Sequence, residues 1–283
     1  MSDWDAWIGR EERRTDTLGP SPAARWLATF DRAAPADGTL PQGIHWCLCT
    51  PDAPTAMLGT DGHPQRDESD DSFFPPIPLP RRMWASSEVE FLHPLAPGDG
   101  IERVSGIESI TEKDGRSGKL AFVAVAHETR ANGVVALREK QSLVYREAAA
   151  PDAPLVPPKG KGDGFAGSQW DVVRELRPGP RLLFRYSALT FNTHRIHYDA
   201  PYARGVERYR GLVVHGPLTA TLLLDLAAQE LGDNMLKSFS FRGVSPAIAG
   251  DMLVLAMRRE GGALELGAYA GNGREVMRAN ARL

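Results

Sequence analysis

The sequence predicts an α+β chain built from two fused copies of one unit, each an antiparallel sheet wrapped around a helix. Two observations predict it. The motif Pro-x-x-x-Gly-Asp occurs twice, at Pro94–Asp99 and Pro246–Asp251. After each copy the same order follows: strand, Gly-containing turn, strand, Asn-Gly turn, strand. The turns are Asp114-Gly115 and Asn132-Gly133 in the first copy, Gly261-Gly262 and Asn272-Gly273 in the second, and such dipeptides favour tight hairpins. A third observation supplies the helix: from Pro217 to Leu231 apolar residues fall on nearly every side, the pattern of a buried helix. A meander can cover such a helix only by curling around it.

In chain order, Pro20–Arg32 reads as a first, shorter helix with Ala23, Trp26, Leu27 and Phe30 on one face. Gln42–Thr50 reads as a strand holding His45, Trp46, Cys47 and Cys49. Residues 51–80, rich in Pro, Gly, Asp and Ser, read as a loop whose aromatic end, Phe73 to Trp84, packs onto the body. Ser87–Leu92 and Ser238–Gly243 are strands preceding the two motifs. Ala148–Gly167 is rich in Ala, Pro and Gly and reads as the linker, which places the units at 1–148 and 165–283, with 149–164 between them. Leu182, Phe184 and Tyr186 alternate within Arg181–Ser187, the period of a strand. Pro217 suits a first helical position and Gly232 a stop, so His215 and Gly216 stand at a helix's positive end, where free N–H groups favour an anion.

The net charge of −3 argues against a dedicated nucleic-acid binder. No run approaches the about 18 apolar residues that span a bilayer. The start has neither an apolar core segment nor a cleavage site. Cys47 and Cys49 lie too close along one stretch to staple it. A cytoplasmic chain that engages neither membrane nor nucleic acid is expected.

The densest chemistry lies in Phe191–Pro217, with His194, His197, His215, Asn192, Arg195, Arg204, Arg208 and Arg210. His194-x-x-His197 with His215 could supply three imidazoles to a metal, and His45-Trp-Cys47-Leu-Cys49 is a second such group. Neither spacing is specific, and no metal is expected.

The run Thr190-Phe191-Asn192-Thr193-His194-Arg195-Ile196-His197-Tyr198-Asp199, followed by Val213-Val214-His215-Gly216, resembles the hydratase-2, or MaoC-like, family of hot-dog-fold (R)-enoyl-thioester hydratases. The family pattern is Ser-Gly-Asp-x-Asn-Pro-Leu-His-x-Asp and then a Pro-x-x-His-Gly helix start. Together with Leu79–Ala85, LPRRMWA, the run looks closest to the double-hot-dog branch of that family, which includes the type 2 hydroxyacyl-thioester dehydratases. The resemblance implies a double hot-dog fold and an acyl-CoA hydratase. It puts His197 on the catalytic histidine and Gly216 on the backbone N–H near the thioester oxygen. Asn192 falls where the family has its catalytic aspartate and cannot take a proton, so it is left an orienting role. His194 becomes a possible second acid or base.

The expected substrate is a branched C5-dicarboxylic enoyl-CoA, mesaconyl-C4-CoA or itaconyl-CoA, giving citramalyl-CoA. Coenzyme A is part of that substrate, and no cofactor is expected. The alternatives are a 3-hydroxyacyl-thioester dehydratase and a non-catalytic acyl-thioester binder. For the anionic ligand the candidates are Arg81, Arg82, Arg195, Arg204, Arg208, Arg210 and His215. The N-terminal unit, without a counterpart of the His197 run, is expected to shape the acyl pocket, and a homodimer would fit hot-dog sheets that pair by their edges.

Overall fold

The structure, a computed structural model, describes residues 4–115, 118–160 and 164–283. The first half runs β1 (Glu11–Thr17), α1 (Pro20–Thr29), β2 (Arg81–Phe91), β3 (Gly100–Gly115), β4 (Gly118–Ala131) and β5 (Val134–Arg146). The second runs β6 (Val172–Leu176), α2 (Pro180–Leu189), α3 (Ala200–Gly205), α4 (Gly216–Leu231), β7 (Ser238–Gly243), β8 (Leu253–Glu260), β9 (Ala263–Ala270) and β10 (Glu275–Arg282). All strands join one antiparallel sheet in the order β1-β3-β4-β5-β2-β7-β10-β9-β8-β6. Read outward from the β2·β7 seam, the two halves have the same strand order. This is the double hot-dog architecture, with its two sheets joined edge to edge by pairs such as Ser86↔Arg242 and Val89↔Phe239.

The duplicated motif does the same work in each half. Gly98 and Gly250 both adopt positive φ, +103° and +85°, which suits glycine. Each donates its N–H to the loop before a short helix, Gly98 to Leu18 O at 2.7 Å and Gly250 to Pro178 O at 2.8 Å. Both acceptors stand two residues before a helix-opening proline, Pro20 or Pro180. The true unit therefore begins with strand, Gly-Pro and short helix.

That correspondence corrects Arg181–Ser187, which is helical and not a strand. Pro180 fits the first helical position, Leu183 and Tyr186 share the buried face one turn apart, and Phe184 points outward at 70% exposure. Gln42–Thr50 is also not a strand: Ile44–Cys47 form a 3-10 turn, and left-handed backbone at Gly43 and Cys49 breaks the extended chain on either side. In the first hairpin Asp114 and Gly115 are still paired, with Lys119 and Gly118, so they belong to the ladder and not to the turn expected of them. The Asn132-Gly133 turn forms as expected, both residues at positive φ.

α4 is buried continuously from Leu218 to Ala227. It packs against Phe239, Leu253, Leu255, Leu264, Leu266 and Val276 of its own half, and the same core takes in Val89, Leu137 and Trp46 of the other half. At about 1.5–3 kcal/mol for each large apolar side chain removed from water, this is the main anchor of the second unit. The first half has no helix of this length among its described residues. Between α1 and β2, prolines at 51, 54, 64, 75, 76, 78 and 80 block one. Trp26, Ile44 and Leu48 form one small core there instead. Ile77, 1% exposed, is pressed with Phe73, Phe74 and Leu79 against Ile107, Val123 and Tyr145 in another. No helix among the described residues is long and apolar enough to cross a membrane.

Candidate active site

The run after α2 is folded by its own polar groups. Asn192 donates its N–H to Ser187 O at 2.9 Å, and its Oδ1 accepts the His194 N–H at 2.9 Å. A 3-10 turn, Arg195–His197, follows. Asp199 then opens α3 by accepting the Tyr202 N–H at 3.0 Å while pairing with Arg195 at 2.7 Å. Beyond α3, Val213 N–H donates to Ile196 O at 2.9 Å, which brings the chain back beside the turn just before α4.

The returning segment fixes His197. Its Nδ1 lies 2.7 Å from the Val213 carbonyl. A carbonyl only accepts, so Nδ1 carries the proton and Nε2 keeps its lone pair. The His215 ring stacks on His197 with centroids 3.6 Å apart, and its Nε2 lies 2.9 Å from the Ser187 hydroxyl. His194 meets the His197 ring edge-on at 5.5 Å. A fourth ring, His63 from the first half, lies 4.1 Å from His194.

Burial sets the charge state of this row. It drives His197 down to about 4, against the pull of the Val213 carbonyl. His194 falls to about 2 through burial and the neighbouring His63 and His197. His215 lies well below the usual histidine range for the same reasons, with His197 and His194 as the neighbours. All three rings are neutral at physiological pH. Asp61, whose Oδ2 is 2.9 Å from His63 Nδ1, is pushed up by burial, the largest single effect, but the hydrogen bonds and charge of His63 together with His194 hold the carboxyl down at about 2.

α4 starts at Gly216 with no side-chain cap. The nearest obstacle to a Cβ there is the Trp84 carbonyl oxygen at 3.9 Å, so the helix's positive end is open to approach. The oxygen of Asn192 is spent on the backbone of His194, which makes its visible role the shaping of the turn.

The arginines divide. Arg195 is held by Asp199, by Thr60 O at 2.9 Å and by the face of Tyr202 at 4.1 Å. Arg208 bonds Ala153 O at 2.7 Å, and Arg210 bonds Pro157 O and pairs with Asp251, so both clip the linker to the body. Arg81 is buried in an ion pair with Glu207, and its charge reaches His194. Arg82 lies over the Phe74 ring, and Arg204 stands exposed at the end of α3. The sequence reading missed Asp61, His63, Ser187 and Glu207. Asp61, His63 and His194 place one ligand atom each within 4.8 Å of one another, the grouping among the described residues that could hold a metal ion.

A double hot-dog sheet, a helix start open at a glycine and a neutral histidine with a free Nε2 beside it together define an acyl-thioester hydro-lyase. The chain belongs to the family described as hydroxyacyl-thioester dehydratase type 2, whose model matches residues 43–249. It is 42% identical to the mesaconyl-C4-CoA hydratase of Chloroflexus aurantiacus, over 100% of this chain and 98% of that protein. It is 41% identical to the mitochondrial hydroxyacyl-thioester dehydratase type 2 of Schizosaccharomyces pombe, covering 87% and 89%. The fold is similar to a MaoC-like dehydratase from Phytophthora capsici, with TM-score 0.72, 15% identity and coverage of 99% and 98%. It is also similar to a Mycobacterium tuberculosis protein with a double hot-dog fold, with TM-score 0.56, 14% identity and coverage of 97% and 96%.

Proposed function

We propose that this acyl-CoA hydratase acts on a branched C5-dicarboxylic enoyl-CoA, mesaconyl-C4-CoA or itaconyl-CoA, and gives citramalyl-CoA. The observation that carries the reaction is the Val213 carbonyl on His197 Nδ1, which turns a basic Nε2 toward the site. In this reading Nε2 takes a proton from water as the water oxygen bonds to the β-carbon. The double-bond electrons move toward the thioester, and negative charge develops on its oxygen. The Gly216 N–H at the start of α4 meets that charge. Asn192 acts at one remove, by holding the turn that sets His194 and His197.

The dicarboxylate preference rests on the full-length likeness to the Chloroflexus hydratase and on Arg81, the arginine whose charge is felt within the histidine row. Exposed Arg204, with Arg82, is assigned to the coenzyme A phosphates. The steps as written call on the chain's own groups and on no cofactor. The homodimer is kept as part of the proposal, through a face other than the β2·β7 seam, which the two units of one chain already fill.

The test is loss of enoyl-thioester absorbance with mesaconyl-C4-CoA and crotonyl-CoA side by side. Faster turnover of the mesaconyl ester is expected. Preference for crotonyl-CoA would discard the dicarboxylate and favour the general 3-hydroxyacyl-thioester dehydratase suggested by the fission-yeast relative.

A further inference from the structure

Hydration needs a second proton-transfer group, one that delivers a proton to the α-carbon after water has added at the β-carbon. The run 190–199 offers no carboxylate to its histidines: its acid, Asp199, is paired with Arg195, and Asn192 accepts the His194 N–H. A carboxylate nevertheless reaches the site from the other half of the molecule.

The loop Gly59–His63, from the stretch before β2, is docked onto the turn at Thr193–Arg195. Arg195 donates its N–H to Asp61 O at 2.8 Å and its guanidinium to Thr60 O at 2.9 Å, and the Thr193 hydroxyl donates to Gly62 O at 2.5 Å. Contact is so close at Gly62, with φ +88°, that a Cβ there would lie 1.9 Å from the Thr193 carbonyl oxygen. The loop is also tied to itself. Gly59 N–H donates to His63 O at 2.7 Å, and Asp61 Oδ1 accepts the His63 N–H at 3.0 Å. The outcome is one orientation for two side chains, with Asp61 Oδ2 on His63 Nδ1 at 2.9 Å and the His63 ring against His194.

We propose that Asp61 and His63 form the second acid–base pair of the hydratase, with His63 the catalytic residue that exchanges the α-carbon proton and Asp61 the residue that positions it. This rests on the hydratase reading above. The carboxylate accepts the Nδ1–H of His63 and fixes the ring, so the proton on Nε2 is the one given up. The protons balance. His197 gains one from water while the C–O bond forms, His63 loses one to the α-carbon as the enolate collapses, and exchange with solvent resets both. His194 is a poorer donor, because burial and the neighbouring His63 and His197 outweigh the pull of Asp61 and keep it neutral, while the Asp61 carboxylate is hydrogen-bonded to His63. The titratable groups around the pair are His194 and His197, with Arg66 and Tyr202 within electrostatic reach of Asp61.

The experiment compares wild type, His63→Gln, Asp61→Asn and Asp61→Glu with the preferred enoyl-CoA, reading kcat, KM and thermal melting. His63→Gln should lower kcat about 100-fold or more with KM changed less than about threefold, the range of a lost general acid. Asp61→Asn keeps an oxygen for the His63 N–H and should still fold. It should lower kcat about 10-fold with KM changed less than about threefold, since the His63 ring loses the carboxylate that orients it, and Asp61→Glu should restore most of the loss. Wild-type turnover with His63→Gln within threefold of it would overturn the assignment and leave the hydratase reading intact. An undiminished kcat in a folded Asp61→Asn would overturn it too. Wild-type activity abolished by a chelator and restored by zinc would overturn it by making Asp61, His63 and His194 a metal site. A wild type inert on every enoyl-CoA would sink both readings together.

Discussion

His197 and His215 lie face to face, ring centroids 3.6 Å apart and planes 19° apart, and each is held by a different partner, the Val213 carbonyl and the Ser187 hydroxyl. Burial disfavours a proton on either ring, and on His215 the neighbouring His197 adds to the effect. The pair is therefore held neutral, and the basic nitrogen of His197 is kept available.

Removing that nitrogen should strike the chemical step. His197→Ala is expected to lower kcat/KM by about 10²–10⁴-fold, the usual contribution of a general base. Binding of the product ester, measured by calorimetry, should survive, because the helix start and the arginines remain. An undiminished rate would remove His197 from the mechanism.

Neutral burial also makes the fold acid-sensitive. In the unfolded chain His197 and His194 protonate near 6.5, while in the folded chain burial lowers them to about 4 and about 2. Below 6.5 the unfolded state binds more protons, so their stabilising contribution is whole above that pH and is lost as pH falls toward 4. Melting temperatures at pH 7.5, 5.5 and 4.5 should fall in that order, and His197→Asn should flatten the slope.

Gly216→Ala separates approach from folding. A methyl group there meets only the Trp84 carbonyl oxygen, at an ordinary 3.9 Å, and Ala is a good helix former. Melting should be unchanged within a few degrees while KM for the enoyl-CoA rises several-fold, because the methyl occupies the path to the N–H. An unaltered KM would argue that the thioester oxygen lies elsewhere.

Arg81 and Glu207 form an ion pair in which both side chains are less than a tenth exposed. Arg81→Met should destabilise the fold by about 3–5 kcal/mol, because it leaves Glu207 buried without a counter-charge. Adding Glu207→Leu should restore most of the loss in denaturant unfolding. If Arg81 reads the substrate carboxylate, the restored double variant should no longer prefer mesaconyl-C4-CoA over crotonyl-CoA.

Much of this was legible in the sequence, for identifiable reasons. The Asn132-Gly133 turn and the duplicated Pro-x-x-x-Gly-Asp are local signals whose geometry depends on residues a few positions apart, and they pointed to the repeated strand order. α2 was misread because Leu182, Phe184 and Tyr186 alternate by chance, while Gly179-Pro180 carried the same opening signal that marked α4. His197 and Gly216 could be proposed from sequence because they sit within one contiguous run. His63 could not, because its meaning depends on a loop docked across more than a hundred residues, and alone it looked like any polar residue in a Pro- and Gly-rich stretch.

The β2·β7 seam has a consequence for how the chain is made. β2 is complete once residue 91 is synthesised, but its second partner waits until residue 243. Through that interval the nascent first half carries an unpaired strand edge, the kind of surface on which neighbouring chains co-aggregate. Glu88 and Glu90 lie along that edge, so two nascent copies meet with like charges opposed, while the arriving β7 brings serine and phenylalanine and no acid. A chain cut in the linker would keep this bare edge permanently, which makes the two halves poor candidates for separate expression.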